Sequence, residues 1–168
     1  MIKKLIFTLL AAAVTVGCTV KYSLSGASIP PDAKTFSVAY FPNNAAMVTP
    51  MLSSTLTDAL VDKFSRSTRL TQVQEGGDFA FEGEIVGYTS TTASVSSNDY
   101  ALQNRLTVTI RVRFTNLVDE KASFNNRTFS AYADYDSTKL LTEVEGELIT
   151  QIVEQLVNDI FQAAAGNW

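Results

Sequence analysis

Three arginines on one short stretch carry the clearest chemical signal in this chain. Arg105, Arg111 and Arg113 lie in Arg-Leu-Thr-Val-Thr-Ile-Arg-Val-Arg-Phe-Thr, residues 105–115. Leu106, Val108, Ile110, Val112 and Phe114 fill the alternate places. A period of two sorts a strand into two faces, so this segment predicts a central strand with one apolar face and one basic face. A guanidinium forks phosphate or carboxylate with paired hydrogen bonds. The basic face is therefore a candidate for recognising anionic groups of a lipid or of a partner protein. A second reading stands beside it: the arginines pair across the sheet with Glu82 and Glu84 of the preceding strand. The two readings are compatible.

Other chemistry is thin. The chain has no histidine, which removes the commonest general base and metal ligand and every Ser-His or Cys-His arrangement. Gly26-Ala27-Ser28-Ile29-Pro30 has a proline where a nucleophile elbow needs glycine, so it reads as tether. Gly76-Gly77 reads as a turn, not a phosphate loop. Asp134, Asp136, Glu143, Glu145 and Glu147 are close in sequence but match no calcium loop. Acids early in a helix are favoured by its dipole, which accounts for the three glutamates without a metal. The expectation is a protein that is not an enzyme and that holds no metal.

The N-terminus points to a membrane address. Met1-Ile2-Lys3-Lys4 precedes an apolar run from Leu5 to Val16, too short to span a bilayer and suited to a secretory signal. Gly17-Cys18 follows, the pattern of a bacterial lipoprotein signal, with Thr15 where leucine is usual. Cleavage before Cys18 would leave an acylated N-terminal cysteine. Cys18 is the only cysteine, so no intrachain disulfide can form. The full chain has 168 residues and net charge −4. Removing the leader takes away Lys3 and Lys4 and no acid, so the mature chain is more acidic still. That excludes general nucleic-acid binding, which needs a basic footprint.

The organisation follows from periodicity. Residues 1–17 read as a lipoprotein signal peptide, 18–34 as a lipidated tether broken by Pro30 and Pro31, and 35–168 as one domain. Thr35 to Phe41 predicts a strand. Thr49-Pro50 predicts a helix start, with Leu52, Leu56, Leu60 and Phe64 as its buried stripe. Leu70 to Val73 predicts a short strand and Phe79 to Thr92 a long one. In that long strand Phe79, Phe81, Gly83, Ile85 and Gly87 are expected on one face and Glu82, Glu84, Val86 and Tyr88 on the other. Gly83 and Gly87 mark bulges or close backbone approach. Ala122 to Tyr132 predicts a strand with a bulge between Phe124 and Phe129. Thr142 with Glu145 predicts a capping box opening a last helix that runs to about Ala164. The sum is an α+β two-layer sandwich: two amphipathic helices on one face of a four- to five-stranded mixed sheet.

Several segments together resemble a known family, the LptE-like lipopolysaccharide-assembly lipoproteins of the Bacteroidetes type. They are Ser25-Gly26-Ala27-Ser28-Ile29-Pro30, Tyr40-Phe41-Pro42-Asn43-Asn44, Phe81-Glu82-Gly83-Glu84-Ile85, Asn104-Arg105-Leu106-Thr107-Val108, Tyr132-Ala133-Asp134-Tyr135-Asp136, Val153-Glu154-Gln155-Leu156-Val157 and Asn167-Trp168. The resemblance implies anchoring on the periplasmic side of the outer membrane and partnership with LptD, the β-barrel that inserts lipopolysaccharide. It implies a plug that assists barrel assembly and binds lipopolysaccharide. No binding residue carries over motif by motif, so Arg105, Arg111 and Arg113 rest on the strand pattern alone. No cofactor is implied beyond a covalent acyl/diacylglycerol lipid on Cys18. The alternative is a periplasmic lipoprotein of similar fold serving a secretion channel or a peptidoglycan-synthase activator.

Overall fold

The computed structural model describes residues 29–47, 49–93 and 102–166. The leader, Cys18, most of the tether, residues 94–101 and the last two residues lie outside the described residues. The elements are β1 (Thr35–Val38), α1 (Pro50–Ser67), β2 (Thr71–Gln72), β3 (Phe79–Ala93), β4 (Gln103–Asn116), a 3-10 turn at Glu120–Ala122, β5 (Phe124–Asp136) and α2 (Leu141–Ala165). The five strands form one sheet in the order β2-β1-β3-β4-β5. β1 runs parallel to both its neighbours, while β3, β4 and β5 form an antiparallel meander. The sheet is thus mixed, as its pattern of elements predicts.

One layer of side chains joins the sheet to the helices. Leu106, Val108, Ile110 and Val112 of β4 are fully buried, and Phe114 is nearly so. They meet Leu52, Leu56, Leu60 and Phe64 of α1 and Ile149, Ile152, Leu156 and Ile160 of α2, all without exposed surface. Phe64 sits at the centre of an aromatic cluster. Its ring lies 5.8 Å from Phe36, 4.6 Å from Phe81 and 5.1 Å from Phe161. One residue therefore ties β1, β3 and α2 to α1.

Local features interrupt the simple alternation of the strands. β1 ends at Val38, and Phe41 beyond it turns back to bury its ring. In β3 the register skips Val86: Ile85 pairs with Ile110 and Gly87 with Thr109. This bulge shifts the phase by one residue and brings Tyr88, expected on the polar face, into the core at 3% exposure. In β5 the predicted irregularity is present. Val112 faces Arg127 and Phe114 faces Phe124, so β5 uses one residue more than β4. Asn126 takes a positive φ of 51° there, a conformation asparagine tolerates better than most residues. β5 then continues past Tyr132 to Asp136.

The last helix opens one residue earlier than expected. Leu141 is its first residue, and the backbone N–H of Leu140 donates to Glu143 Oε2 at 3.1 Å. Glu143, not Glu145, thus supplies the return hydrogen bond of the cap. Glu145 points inward instead. It accepts from the Tyr88 hydroxyl and from Thr49 Oγ1, pinning the start of α2 to β3 and to the start of α1. Burial and the neighbouring carboxylate both raise the Tyr88 pKa above its ordinary value.

Candidate functional site

The sheet has one face under the helices and one open face. Strand parity places Arg105, Arg111 and Arg113 on the open one, because their neighbours Leu106, Ile110, Val112 and Phe114 are buried on the other. The structure does not gather the three into a single cluster. Arg111 and Arg113 lie near the middle and one end of β4, and Arg105 lies near the opposite end.

Each arginine has a carboxylate directly across the sheet. Arg111 is opposite Glu84 and Arg113 opposite Glu82. Arg111 Nη1 donates to Glu84 Oε1 at 2.7 Å, and Arg113 Nε donates to Glu82 Oε2 at 3.1 Å. The pairing with Glu82 and Glu84 is therefore present. Asn44 Nδ2 donates to the second oxygen of Glu84 at 2.7 Å. Over these pairs lies an open cavity of 300 Å³, lined by Pro42, Glu82, Glu84, Arg111, Arg113 and Asn126.

Arg105 has a different partner, one that β5's continuation past Tyr132 supplies. It grips Asp134 with Nε at 2.7 Å and Nη2 at 2.9 Å, a bidentate fork. Its guanidinium also stacks over the Tyr132 ring, 3.7 Å from the centroid. Arg105 holds the Asp134 carboxyl below its ordinary pKa. Tyr132 is itself 48% exposed. Arg105, Tyr132 and Asp134 thus form a second polar patch, further along the same face. The acids once grouped by sequence are used separately: Asp134 by Arg105, Asp136 by the N–H and hydroxyl of Thr138, Glu143 by Leu140 and Glu145 by Tyr88.

The three arginines of this face are held in ion pairs at the surface. They can exchange partners. An exposed pair of this type is worth only ~0–1 kcal/mol, so an incoming phosphate or carboxylate can replace Glu82 or Glu84 at small cost. One basic residue that strand reading passed over is Arg127, whose guanidinium lies 5.4 Å from the Phe124 ring and 5.2 Å from the Phe129 ring. Its place beside the β5 bulge is what turns it across two aromatic rings. Among the described residues no helix is long and apolar enough to cross a membrane.

Comparison with known proteins gives a fold and a family. The fold is similar to that of a hypothetical protein from Chlamydia trachomatis, with TM-score 0.53 and 8% identity over 80% of this chain and 99% of the other. It is also similar to a neuraminyllactose-binding hemagglutinin homologue from Helicobacter pylori, with TM-score 0.51 and 10% identity over 84% and 91%. At such identities these likenesses concern the fold alone. A search of curated proteins gives no match. A family model described as lipopolysaccharide assembly matches residues 33–164, from the residues that lead into β1 to the last turn of α2. The chain therefore belongs to the LptE family of lipopolysaccharide-assembly proteins.

Proposed function

We propose that this protein is a lipid-anchored, non-enzymatic subunit on the periplasmic face of the outer membrane. In this reading it plugs an LptD-type β-barrel, assists that barrel's assembly and binds lipopolysaccharide. The observation that carries the reading is the family match across the whole two-layer domain. The lipoprotein pattern ending at Cys18 supports the anchor, and the open sheet face with Arg105, Arg111 and Arg113 supports contact with anionic groups.

Two experiments test the reading. Cys18→Ala removes the acylation site. Each buried methylene of an acyl chain contributes ~0.8 kcal/mol, and stable attachment takes more than one chain. In cells lacking the barrel, the variant is expected to move from the membrane pellet to the soluble fraction or to keep its leader. Unchanged pelleting counts against the anchor.

The second experiment reverses two charges, Arg111→Glu with Arg113→Glu. Four acids then face one another across β3 and β4, and like charges directly opposite destabilise by less than ~1 kcal/mol per pair. The fold should survive while lipopolysaccharide binding, or co-purification of the barrel, weakens. Binding is measured with purified lipopolysaccharide at two salt concentrations beside a thermal melt of the same variant. Full binding and full barrel capture by a folded double mutant would leave the arginines as structural pairs only. Capture of a secretion channel or a peptidoglycan synthase in place of the barrel would select the alternative assembly role.

A further inference from the structure

The turn after β4 carries apolar residues where a solvent-facing turn has polar ones. Leu117 is 61% exposed and Val118 37%. Their backbone is nevertheless held in place. Asn116 is 2% exposed, and its Oδ1 accepts from the N–H of Val118 at 3.0 Å and of Asp119 at 2.9 Å. Ser123 Oγ accepts from the Asn116 N–H at 2.9 Å across the turn. The side chain of a buried asparagine thus holds up a tip of two exposed aliphatic residues.

This tip stands at the end of the domain where the N-terminal segment arrives. Leu117 N–H donates to the Asp78 carbonyl at 2.9 Å. The Asp78 carboxylate accepts from the N–H groups of Lys34 and Thr35, at 2.8 Å and 2.9 Å, where β1 begins. Ile29 and Pro30 share a cavity of 650 Å³ with Asn116, Asp119, Phe124 and Arg127. Leu102, which is also half-exposed, lies at the other end of β4. Fourteen residues of strand at ~3.3 Å each separate the two ends by about 45 Å.

We propose that Leu117 and Val118 form a membrane-contact tip that inserts into the bilayer holding the acylated N-terminus. This rests on the lipid-anchor reading above. Eleven peptide steps join Cys18 to Ile29, a reach of at most ~40 Å, so the Leu117 end of the domain is the one the tether holds nearest the bilayer surface. Two aliphatic side chains bind a bilayer too weakly to recruit a free protein. On a tethered domain the contact is intramolecular, and the high local concentration makes it effective. Lys121 and Arg127 near the tip are offset by Asp119 and Glu120. Attachment is therefore apolar and indifferent to the anionic lipid fraction. Its consequence is orientation of the tethered domain before it enters a barrel: the strands stand with the Leu117 end toward the bilayer and the Leu102 end away from it.

The test uses tryptophan fluorescence in vesicles with brominated acyl chains. The full mature chain carries Trp168→Phe with either Leu117→Trp or Leu102→Trp. It is placed on phosphatidylcholine–phosphatidylethanolamine vesicles in two ways: through acylated Cys18, or as Cys18→Ser with an N-terminal polyhistidine tag on nickel-chelating lipid. Loss of most of the Leu117→Trp emission with retention of the Leu102→Trp emission, in both arms and unchanged by added anionic lipid, is the expected result. Equal quenching at the two ends, or no quenching at Leu117→Trp on vesicles that carry the protein, overturns the proposal. A chain that fails to float with vesicles only in the acyl arm refutes the anchor reading, while the tagged arm still reads the tip. Shielding of Leu117→Trp only when the barrel is co-expressed would make the tip a protein contact and would overturn the bilayer assignment.

Discussion

Phe64→Ala is expected to lower the free energy of unfolding by about 3–5 kcal/mol, the range for truncating a fully buried aromatic residue. The size follows from its neighbours. The ring has no exposed surface and lies within 6 Å of the rings of Phe36, Phe81 and Phe161. These belong to β1, β3 and α2, three elements that cannot all collapse into the space left behind. Single domains hold together by about 5–15 kcal/mol in all, so the loss is a large share of the whole. A denaturant titration followed by circular dichroism measures it, with an unchanged slope showing that the unfolded state is the same. A loss below ~1 kcal/mol would place Phe64 at the margin of the core.

Gly83→Ala is expected to be comparably damaging, for an opposite reason. A β-carbon at Gly83 would overlap the Arg111 carbonyl oxygen and come within 2.5 Å of the Phe41 ring. The first obstacle is backbone of the neighbouring strand and cannot rotate away. The second is a fully buried ring lying in the space that glycine leaves open. Expelling Phe41 would forfeit ~1.5–3 kcal/mol of burial, and overpacking adds about 1–3 kcal/mol. Phe41→Ala in the same chain should recover only part of the loss, because the carbonyl contact remains. A thermal melt of the two single mutants and the double mutant reads this. A double mutant as stable as Phe41→Ala alone would show that the ring was the whole obstacle.

Most of the architecture was legible because burial on one side imposes a period. The stripe Leu52–Leu56–Leu60–Phe64 and the alternation Leu106 to Phe114 each identify their element and its buried face. The pairing of Glu82 and Glu84 with Arg113 and Arg111 also follows from the hairpin order. Gly83 was recognised as a site of close approach, although not what approaches it. Phase was harder. Gly87 was read as marking a bulge or close approach and the bulge is there, but nothing in Ile85-Val86-Gly87 says that Val86 is the residue that drops out of register. Tyr88 was therefore placed with the glutamates, when it lies in the core on Glu145. The error at the start of α2 has the same root. Thr142 and Glu145 have capping-box spacing, but Leu140 and Glu143 meet the cap geometry two residues earlier and leave Glu145 to Tyr88 and Thr49. Asp134 was grouped with nearby acids because spacing along the chain does not reveal that β5 carries it to Arg105.

Asp78 has a mechanical meaning. β1 is flanked by two parallel neighbours, with Thr71 N–H on the Lys34 carbonyl at 2.8 Å, Val73 N–H on the Phe36 carbonyl at 2.8 Å and Ala39 N–H on the Phe81 carbonyl at 2.8 Å. Asp78 adds three hydrogen bonds at the point where the chain enters the strand. Any tension transmitted up the N-terminal segment arrives along the axis of β1, across the direction of these bonds. The strand is loaded in shear, so its bonds to both neighbours share the force and must yield together. The same few hydrogen bonds pulled from the side would open one after another. A strand of four residues can thus bear a load that its length alone would not suggest.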